Sequence, residues 1–380
     1  MVAVDTPNGG RELLRVGVRD FYQPVAAHHF ENPTVVECLD FQSFSKIWQQ
    51  EAYRPSLNWD WMRASHEAQT SLRDNPGNPQ VLASILSNLK HWALYSHEER
   101  RTRLSDRKGV ELEIPPHTEL NPVRGEALQV SENDPFDPIE LYAWYLGMAI
   151  NWRGRGLFLK YYLSFPVKYD RQIKDRILAS FRRGLQRSLP RTLIDTSPSV
   201  LNDIEVNDLA TEPTAYAAAA LARLDVEPTD DGVRYGVFDF GGGTTDFDYG
   251  LMRWSTDEED AQGYEVVFES LGSSGDEFLG GENLLNHLVY ETFSAAENLE
   301  ELRSHRIQFT RPLDAKPFPG SEPFIAATQA AQTNTIMLAA RLRSFMEDES
   351  PSLEPEVTLD LVDTNNEKQQ CTLSIDEERL

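Results

Sequence analysis

The sequence predicts an α/β protein, and two observations carry that prediction. A strand-like apolar run at 156–165 ends at a proline, and a basic amphipathic helical pattern follows at 170–185. An alanine-rich helical stretch that starts at Glu212-Pro213 precedes a run of alternating apolar residues with three consecutive glycines at 235–250. Strands that alternate with helices along the chain are typical of α/β folds.

Composition and charge bound the class of protein. The chain has 380 residues, which predicts about two domains, and its hydrophobic fraction of 40% is ordinary for a folded protein. The net charge of −25 argues against nucleic acid or a membrane as the main partner. Cys38 and Cys371 are too few for a disulfide framework, and no signal peptide or membrane-length apolar run is visible. We therefore expect a soluble, cytoplasmic protein.

The first part of the chain predicts short strands interrupted by an insertion. Strand-like runs fall between residues 2 and 36. The stretch 42–75 carries three tryptophans in a polar context, which is typical of a partner-binding surface or, as we favour, of the core of an inserted helical hairpin. Residues 81–94 have a helical period, and the prolines of 109–138 predict loops between short strands.

The rest of the chain alternates between predicted helices and strands. In order, they are an amphipathic helix at 141–152, a buried strand at 156–165, a helix at 170–185, a helix from Glu212, a β-hairpin at 235–250, a strand at 264–271, a second glycine-rich loop at 272–281, a helix to about 293, a long helix at 329–346, and a strand pair at 357–362 and 370–374.

The glycine-rich hairpin predicts a site for phosphate and a divalent cation. Consecutive glycines leave backbone N–H groups bare, so an anion can approach them closely. Acids on both shoulders of the turn can hold Mg²⁺ through its waters. A plain turn is the alternative, which these acids and the neighbouring hydroxyls disfavour. The candidate ligands are Gly241, Gly242, Gly243, Thr244, Thr245, Asp239 and Asp246.

Several other kinds of site are absent from the sequence. There is no Gly-x-x-x-x-Gly-Lys-Ser/Thr loop, no Gly-x-Ser-x-Gly elbow and no Cys-x-x-Cys pair. The eight histidines show no metal-binding spacing. These absences argue against a P-loop NTPase, a serine hydrolase of the elbow type and a thiol redox protein.

Several separate motifs resemble one family. Asp239-Phe-Gly-Gly-Gly-Thr-Thr-Asp246 resembles the second phosphate-binding motif of the actin-like ATPase superfamily. Glu212-Pro-Thr-Ala215 resembles the connecting motif of the 70-kilodalton heat-shock (DnaK-type) chaperones, and Gly275-Asp-Glu-Phe-Leu-Gly-Gly-Glu282 is similar to that family's loop after its third strand. The segment 162–169, and Asn78-Pro79 with Leu89-Lys90, resemble its strand-plus-proline segment and its catalytic-lysine region.

This resemblance implies a ribonuclease H-like, two-lobed nucleotide-binding domain. Lobe I would span 1–228 with an inserted subdomain at about 41–135, and lobe II would span 229–380 with a subdomain at about 283–374. The implied catalytic residues are Glu212, which orients the attacking water, Lys90, which steadies the γ-phosphate, Asp239 and Thr244. Asp239 and Asp246 would organise the water shell of Mg²⁺. The implied contacts to ATP or ADP are Gly241, Gly242, Gly243, Thr244 and Thr245 to phosphate, Gly280, Gly281 and Glu282 to ribose, and Arg343 to adenine.

The chain also departs from the family. The family's first phosphate hairpin and its adenosine-binding loop have no counterpart, and Ala339 and Leu342 stand where the adenine-contacting helix has polar residues. We therefore expect most of a nucleotide-binding domain, with ATP hydrolysis in a complete parent protein and not in this chain alone. Client or co-chaperone proteins are expected partners, with 42–75 as a candidate surface. The alternatives are a degenerate, non-catalytic interaction module and a sugar- or acetate-kinase-like phosphotransferase.

Overall fold

The computed structural model describes most of the chain as a mixed α/β structure, which confirms the predicted class. It describes residues 1–5, 10–18, 22, 24–50, 60–75, 78–87, 89–94, 102–114, 137–153, 156–312, 314–347 and 354–376.

The elements alternate along the chain. The strands are β1 (Val2–Asp5), β2 (Arg11–Leu14), β3 (Val36–Cys38), β4 (Met62–Ala64), β5 (Ile85–Leu86), β6 (Thr102–Ser105), β7 (Glu111–Ile114), β8 (Lys160–Phe165), β9 (Glu205–Thr211), β10 (Val233–Phe240), β11 (Thr245–Trp254), β12 (Val266–Asp276), β13 (Glu356–Val362) and β14 (Lys368–Ser374). The helices are α1 (Phe41–Gln50), α2 (His66–Asp74), α3 (Pro79–Ala83), α4 (Leu89–Leu94), α5 (Pro138–Arg153), α6 (Arg171–Ser188), α7 (Arg191–Thr196), α8 (Val200–Asp203), α9 (Glu212–Arg223), α10 (Asp257–Asp260), α11 (Gly281–Ser294), α12 (Ala296–Ser304) and α13 (Gln329–Glu347).

The chain forms two compact units, each discontinuous in sequence. Unit A comprises Met1–Tyr161, Arg176–Glu205 and Asn286–Leu380, and unit B comprises Tyr162–Asp175 and Val206–Leu285. These units divide the chain differently from the predicted lobes, whose boundaries stay a prediction. None of the described helices combines the length and apolar content needed to cross a membrane.

In unit A, two long elements match the prediction because their sequence periods are regular. The predicted helix at 329–346 is α13, and the predicted strand pair is the antiparallel hairpin β13–β14. The Asn334 side chain joins the two elements, since it accepts from the Val362 amide at 2.7 Å and donates to the Val362 carbonyl at 2.8 Å. A buried side-chain amide that bonds both the N–H and the C=O of one strand residue fixes the position of the helix along that strand.

The prediction of a continuous helix over 81–94 is wrong, because the helix is interrupted at Ser84. The Ser84 hydroxyl donates to the Val81 carbonyl, and the Ser84 carbonyl accepts from the Cys38 amide at 2.8 Å. Residues Ile85–Leu86 then pair with β3 as a short strand, so α3 and α4 are separate helices. Tertiary pairing with a distant strand overrides the local helical period.

The prediction for 141–152 is right that a helix forms there and wrong that the helix is amphipathic. Helix α5 is buried around its whole circumference, with Ile139, Leu141, Tyr142, Ala143, Trp144, Tyr145, Leu146, Met148 and Ile150 all in the core. A helix with apolar residues on every side is typical of a protein interior. Asp137 caps it by accepting from the Ile139 amide at 2.9 Å.

The stretch 42–75 is more than the predicted helical hairpin. It contains the helices α1 and α2, but β4 lies between them and pairs antiparallel with β3. Trp59 lies outside the described residues. Of the loops predicted at 109–138, residues 115–136 also lie outside the described residues.

Unit B is built on the three-stranded antiparallel sheet β10–β11–β12, with α9 packed on it. The predicted glycine hairpin is confirmed, with Asp239 paired to Asp246. The predicted second glycine-rich loop is wrong in its first half, because β12 continues to Asp276 and pairs Gly275 with Asp246.

The strand predicted at 156–165 is shorter in the structure, where it is β8, and its pairing partner is β9. Strand β8 alternates between exposed and half-buried residues up to its buried last residue, Phe165, so it is not the buried strand expected from its composition.

Candidate functional site

The amides of Gly241 and Gly242 play different parts in the turn of the glycine hairpin. The Gly241 amide donates to the Thr244 carbonyl at 2.9 Å, which closes the turn. The Gly242 N–H donates to no described residue, and Gly242 is exposed. A Cβ at Gly242 would meet only Glu282 Cγ, at 3.9 Å. Gly242 is therefore the position at which an anion can approach the backbone.

A second glycine pair supports this turn from behind. The amides of Gly281 and Glu282 donate to the carbonyls of Gly241 and Gly242 at 3.0 and 2.8 Å. A Cβ on Gly280 would lie 2.4 Å from the carbonyl carbon of Gly243, so only glycine permits this close approach. The predicted ribose residues Gly280, Gly281 and Glu282 thus lie against the predicted phosphate residues.

Asp246 and Thr245 are tied into the fold. Asp246 is 2% exposed; its Oδ1 accepts from the Val167 amide at 2.8 Å and its Oδ2 from the Thr244 hydroxyl at 3.1 Å. The Thr245 hydroxyl is buried and donates to the Leu279 carbonyl. These bonds occupy part of the Asp246 carboxylate and the proton of Thr245, so both side chains also hold the turn in place.

Asp239 is the acid that remains available. It lies directly across from Asp246 in the ladder, is half-buried, and accepts no hydrogen bond from the part of the chain that the structure describes. Like charges directly opposite each other on neighbouring strands are destabilising. A cation held by its waters between the two carboxylates would remove that repulsion, which fits Mg²⁺.

Further carboxylates approach this end of the sheet around Tyr169. Burial raises the pKa of Tyr169, and the nearby charges of Glu212, Glu277 and Asp246 raise it further. Burial, with the charges of Asp170 and Asp276, also raises the pKa of Glu277. Sequence reasoning missed Tyr169 and Glu277 as site residues. Their only signal was their position inside segments that resemble family motifs.

Glu212 is placed by the first turn of α9. Thr211 caps this helix, since its hydroxyl oxygen accepts from the Thr214 amide at 3.3 Å. The Thr214 hydroxyl in turn donates to Asp248 Oδ2 at 2.8 Å. Glu212 therefore sits at a helix start that is bonded to the centre of the sheet.

Asp248 is a second residue that sequence reasoning missed. It is 2% exposed, and it also accepts from the Tyr235 hydroxyl at 3.2 Å and from the Ser270 hydroxyl at 2.6 Å. The available signal was alternation, because Asp246 and Asp248 are two residues apart on β11 and so share a face. This buried carboxylate joins three strands and α9 into one rigid support.

The remaining predicted residues belong to unit A. Lys90 lies on α4 and Arg343 on α13, and their roles at the site stay predictions. Ala339 and Leu342 are buried in the core of unit A. No protein-family model matches the chain.

The arrangement in unit B suits one kind of ligand group. It offers the exposed amide of Gly242 at the turn and the carboxylate of Asp239 opposite that of Asp246. Glu212 adds a further carboxylate at the start of α9. A bare N–H attracts an anion. Carboxylates repel an anion unless a cation lies between the two. The donor set therefore fits a phosphate accompanied by a divalent cation.

Proposed function

We propose that unit B binds the phosphates of a Mg²⁺-bound nucleotide, ATP or ADP, at the turn of the glycine hairpin. The observation that carries this proposal is the pairing of Asp239 with Asp246 beside the exposed amide of Gly242. Under this proposal the Gly242 N–H donates to a phosphate oxygen and Asp239 accepts from waters of the cation. Mg²⁺ would supply the charge neutralisation that an anionic ligand requires next to these acids.

The wider proposal is an ATPase domain similar to those of heat-shock chaperones. Glu212 would orient a water molecule toward the γ-phosphate, because positioning and charge stabilisation account for most of the rate of phosphoryl transfer. The bonds from Thr214 to Asp248 and from Val167 to Asp246 support this role by fixing the elements that carry the acids.

The test separates binding from folding with a pair of glycine variants. Gly242→Ala places a methyl group where the structure has room, so the melting temperature should stay the same. The methyl should nevertheless block the anion and weaken Mg²⁺–ATP binding by about 10- to 100-fold, as expected for one hydrogen bond to a charged group. Gly236→Ala is the control on the same hairpin, since a Cβ there meets nothing within 4 Å. Isothermal titration calorimetry measures both variants.

A second pair of variants tests the acid. Asp239→Asn should weaken binding in the presence of Mg²⁺ and have little effect with ATP alone, because its partner is the cation. Asp230→Asn makes the same charge change at an exposed position in the same unit and should leave binding unchanged. Equal affinities for wild type, Gly242→Ala and Asp239→Asn would refute the assignment. In any form of the protein that hydrolyses ATP, Glu212→Gln should lower phosphate release by about 10²-fold or more.

A second candidate function is a non-catalytic interaction module. It is favoured by the outer face of the same sheet, where Phe238, Phe247 and Tyr249 are 63%, 47% and 58% exposed. The rings of Phe238 and Phe247 lie 4.8 Å apart. Exposed aromatic residues that cluster in this way are enriched at protein interfaces. A folded wild-type chain without Mg²⁺-dependent nucleotide binding would favour this function over the first.

A further inference from the structure

Three side chains with different metal-binding atoms converge at one place in unit A. Glu301 and His305 lie on the last turn of α12 and just after it, and Cys371 lies on β14. Their ligand atoms are all within 4.8 Å of one another, and the Glu301 Oε1–His305 Nε2 distance is 3.7 Å. None of the three belongs to the hairpin site of unit B.

Helix α12 is fixed against β14, so this convergence is built into the fold. The Asn298 side chain accepts from the Ser374 amide at 2.8 Å and donates to the Ser374 carbonyl at 2.9 Å. Asn298, Glu301 and His305 follow at i, i+3 and i+7, which places them on one face of the helix. That face runs along β14, so the carboxylate and the imidazole are carried to the strand that bears the thiol.

The carboxylate is also oriented by the backbone of the strand. The Thr372 amide donates to Glu301 Oε1 at 3.3 Å. Outer hydrogen bonds of this kind hold a ligand in position before a metal arrives. The bonds of Asn298 to Ser374 lie one turn before Glu301, so they support the same end of the ligand-bearing segment.

The chemistry of the three atoms matches Zn²⁺. A thiolate sulfur, an imidazole nitrogen and a carboxylate oxygen are the ligands that Zn²⁺ takes in proteins. Tetrahedral bond lengths imply ligand–ligand separations of about 3.3–3.6 Å, close to the distance already present between Glu301 and His305. Three protein ligands leave a fourth position for water or another small ligand.

Burial decides between a metal site and a nucleophilic cysteine. The side chains of His305 and Glu301 are 34% and 37% exposed, whereas Cys371 is fully buried. A substrate cannot reach the sulfur beneath them, so this is not an accessible nucleophile beside a base. A sulfur that binds a metal faces the ion rather than the solvent, so the burial of Cys371 is compatible with a role as a ligand.

We propose that Glu301, His305 and Cys371 form a Zn²⁺ site that cross-links the end of α12 to the β13–β14 hairpin. The ion would hold together two elements that are separated in sequence by residues 305–355, which include all of α13. This proposal is independent of the nucleotide site, because it uses other residues and another ligand.

The test uses the full chain after chelator treatment and dialysis. Titration with Co²⁺, a spectroscopic substitute for Zn²⁺, should give one equivalent with a thiolate-to-cobalt charge-transfer absorption and tetrahedral d–d bands. Cys371→Ser should lose the charge-transfer absorption. His305→Gln changes a half-exposed side chain and should weaken Zn²⁺ binding, as measured by calorimetry. The loss should exceed the ~10- to 100-fold typical of removing a residue that bonds a metal ligand but not the metal.

The matched control is another histidine–acid pair in the same unit. His287 Nε2 lies 2.8 Å from Asp314 Oδ1, and the His287 side chain is about as exposed as that of His305. Among the described residues, this pair belongs to no group of three metal-binding side chains. His287→Gln should therefore bind Co²⁺ and Zn²⁺ as wild type does. Zn²⁺ should raise the melting temperature of wild type and His287→Gln, but not of His305→Gln, because a ligand stabilises the state that binds it.

Two results would overturn the proposal. The first is a folded wild-type chain that gives no charge-transfer absorption with Co²⁺. The second is Zn²⁺ affinity that is the same in wild type, Cys371→Ser and His305→Gln, which would mean that the ion binds elsewhere on the acidic surface.

Discussion

The hydroxyl of Thr214 donates a 2.8 Å hydrogen bond to Oδ2 of Asp248. This bond joins the first turn of α9 to the middle strand of the unit B sheet, at a carboxylate that is 2% exposed. The helix that carries Glu212 is therefore positioned by a buried charge and not only by apolar packing.

The first prediction removes that bond. Thr214→Val keeps the side-chain shape and should lower the free energy of unfolding by about 1.5–3 kcal/mol, the range for a hydrogen bond to a charged group. Urea denaturation measures the change. Thr229→Val is the control, since the Thr229 hydroxyl donates to the Gly232 carbonyl at an exposed turn and its loss should cost far less. Equal losses in the two variants would contradict the role given to Asp248.

The second prediction concerns the close approach behind the turn. Gly280→Ala would place a methyl group 2.4 Å from a backbone carbon of Gly243 and should destabilise the protein by about 1–3 kcal/mol. Gly281→Ala meets nothing nearer than 4.0 Å and starts α11, where alanine is the better helix former. A thermal melt should therefore show a lower midpoint for the first variant only. If both midpoints fell together, the glycine requirement would lie elsewhere.

The third prediction is a pH dependence at Glu277. Its pKa is raised by burial and by Asp170 and Asp276, so the folded state holds the proton to higher pH than the unfolded state does. The stability that this proton provides is complete below the unfolded pKa of about 4.3 and is lost as the pH rises through the folded pKa. Glu277→Gln should thus raise the melting temperature at pH 7, and the gain should shrink toward pH 4.

The control for this experiment is Glu227→Gln, which changes an exposed acid of the same unit. Its effect on the melting temperature should be small at every pH. A gain from Glu277→Gln that is constant from pH 7 to pH 4 would show that ionisation of this carboxyl is not the cause.

The fourth prediction concerns a buried ion cluster in unit A. Arg183 Nε donates to Glu140 Oε2 at 2.9 Å, and Arg187 pairs with the same carboxylate. All three side chains are at most 6% exposed. Glu140→Gln should lower the free energy of unfolding by about 3–5 kcal/mol, because it removes the carboxylate that two buried guanidinium groups share, although Asp137 still lies 3.0 Å from Arg183. Urea denaturation measures the change. The control is Asp195→Asn, which removes an exposed ion pair with Arg191 and should lower the free energy of unfolding by less than about 1 kcal/mol.

The glycine hairpin could be predicted from sequence because its information is local. Alternating residues flank three glycines that form the turn, and the strands on either side of it pair Asp239 with Asp246. What each amide does could not be predicted in the same way. The carbonyls of Gly241 and Gly242 are bonded by residues of the α11 start, and only folding brings that segment to the turn.

Elements whose environment is set at long range were the ones that the sequence misjudged. The break at Ser84 depends on pairing with Cys38, and no period within 81–94 reveals a distant strand. The burial of α5 on all sides depends on neighbours that pack around it, although its own pattern includes polar atoms on tyrosine and asparagine. Local period predicts where an element lies, whereas the surrounding packing decides which faces are covered.

The division of unit B into Tyr162–Asp175 and Val206–Leu285 has a consequence for the order of events on the ribosome. Every residue of unit B has been synthesised when Leu285 is added, while unit A still awaits Asn286–Leu380. Pairing of β10 with β11 needs only a short chain closure, so it can form early. The segment Arg176–Glu205 need not wait for that last part, because Arg183 and Arg187 of α6 pair with Glu140 of α5, which is synthesised earlier.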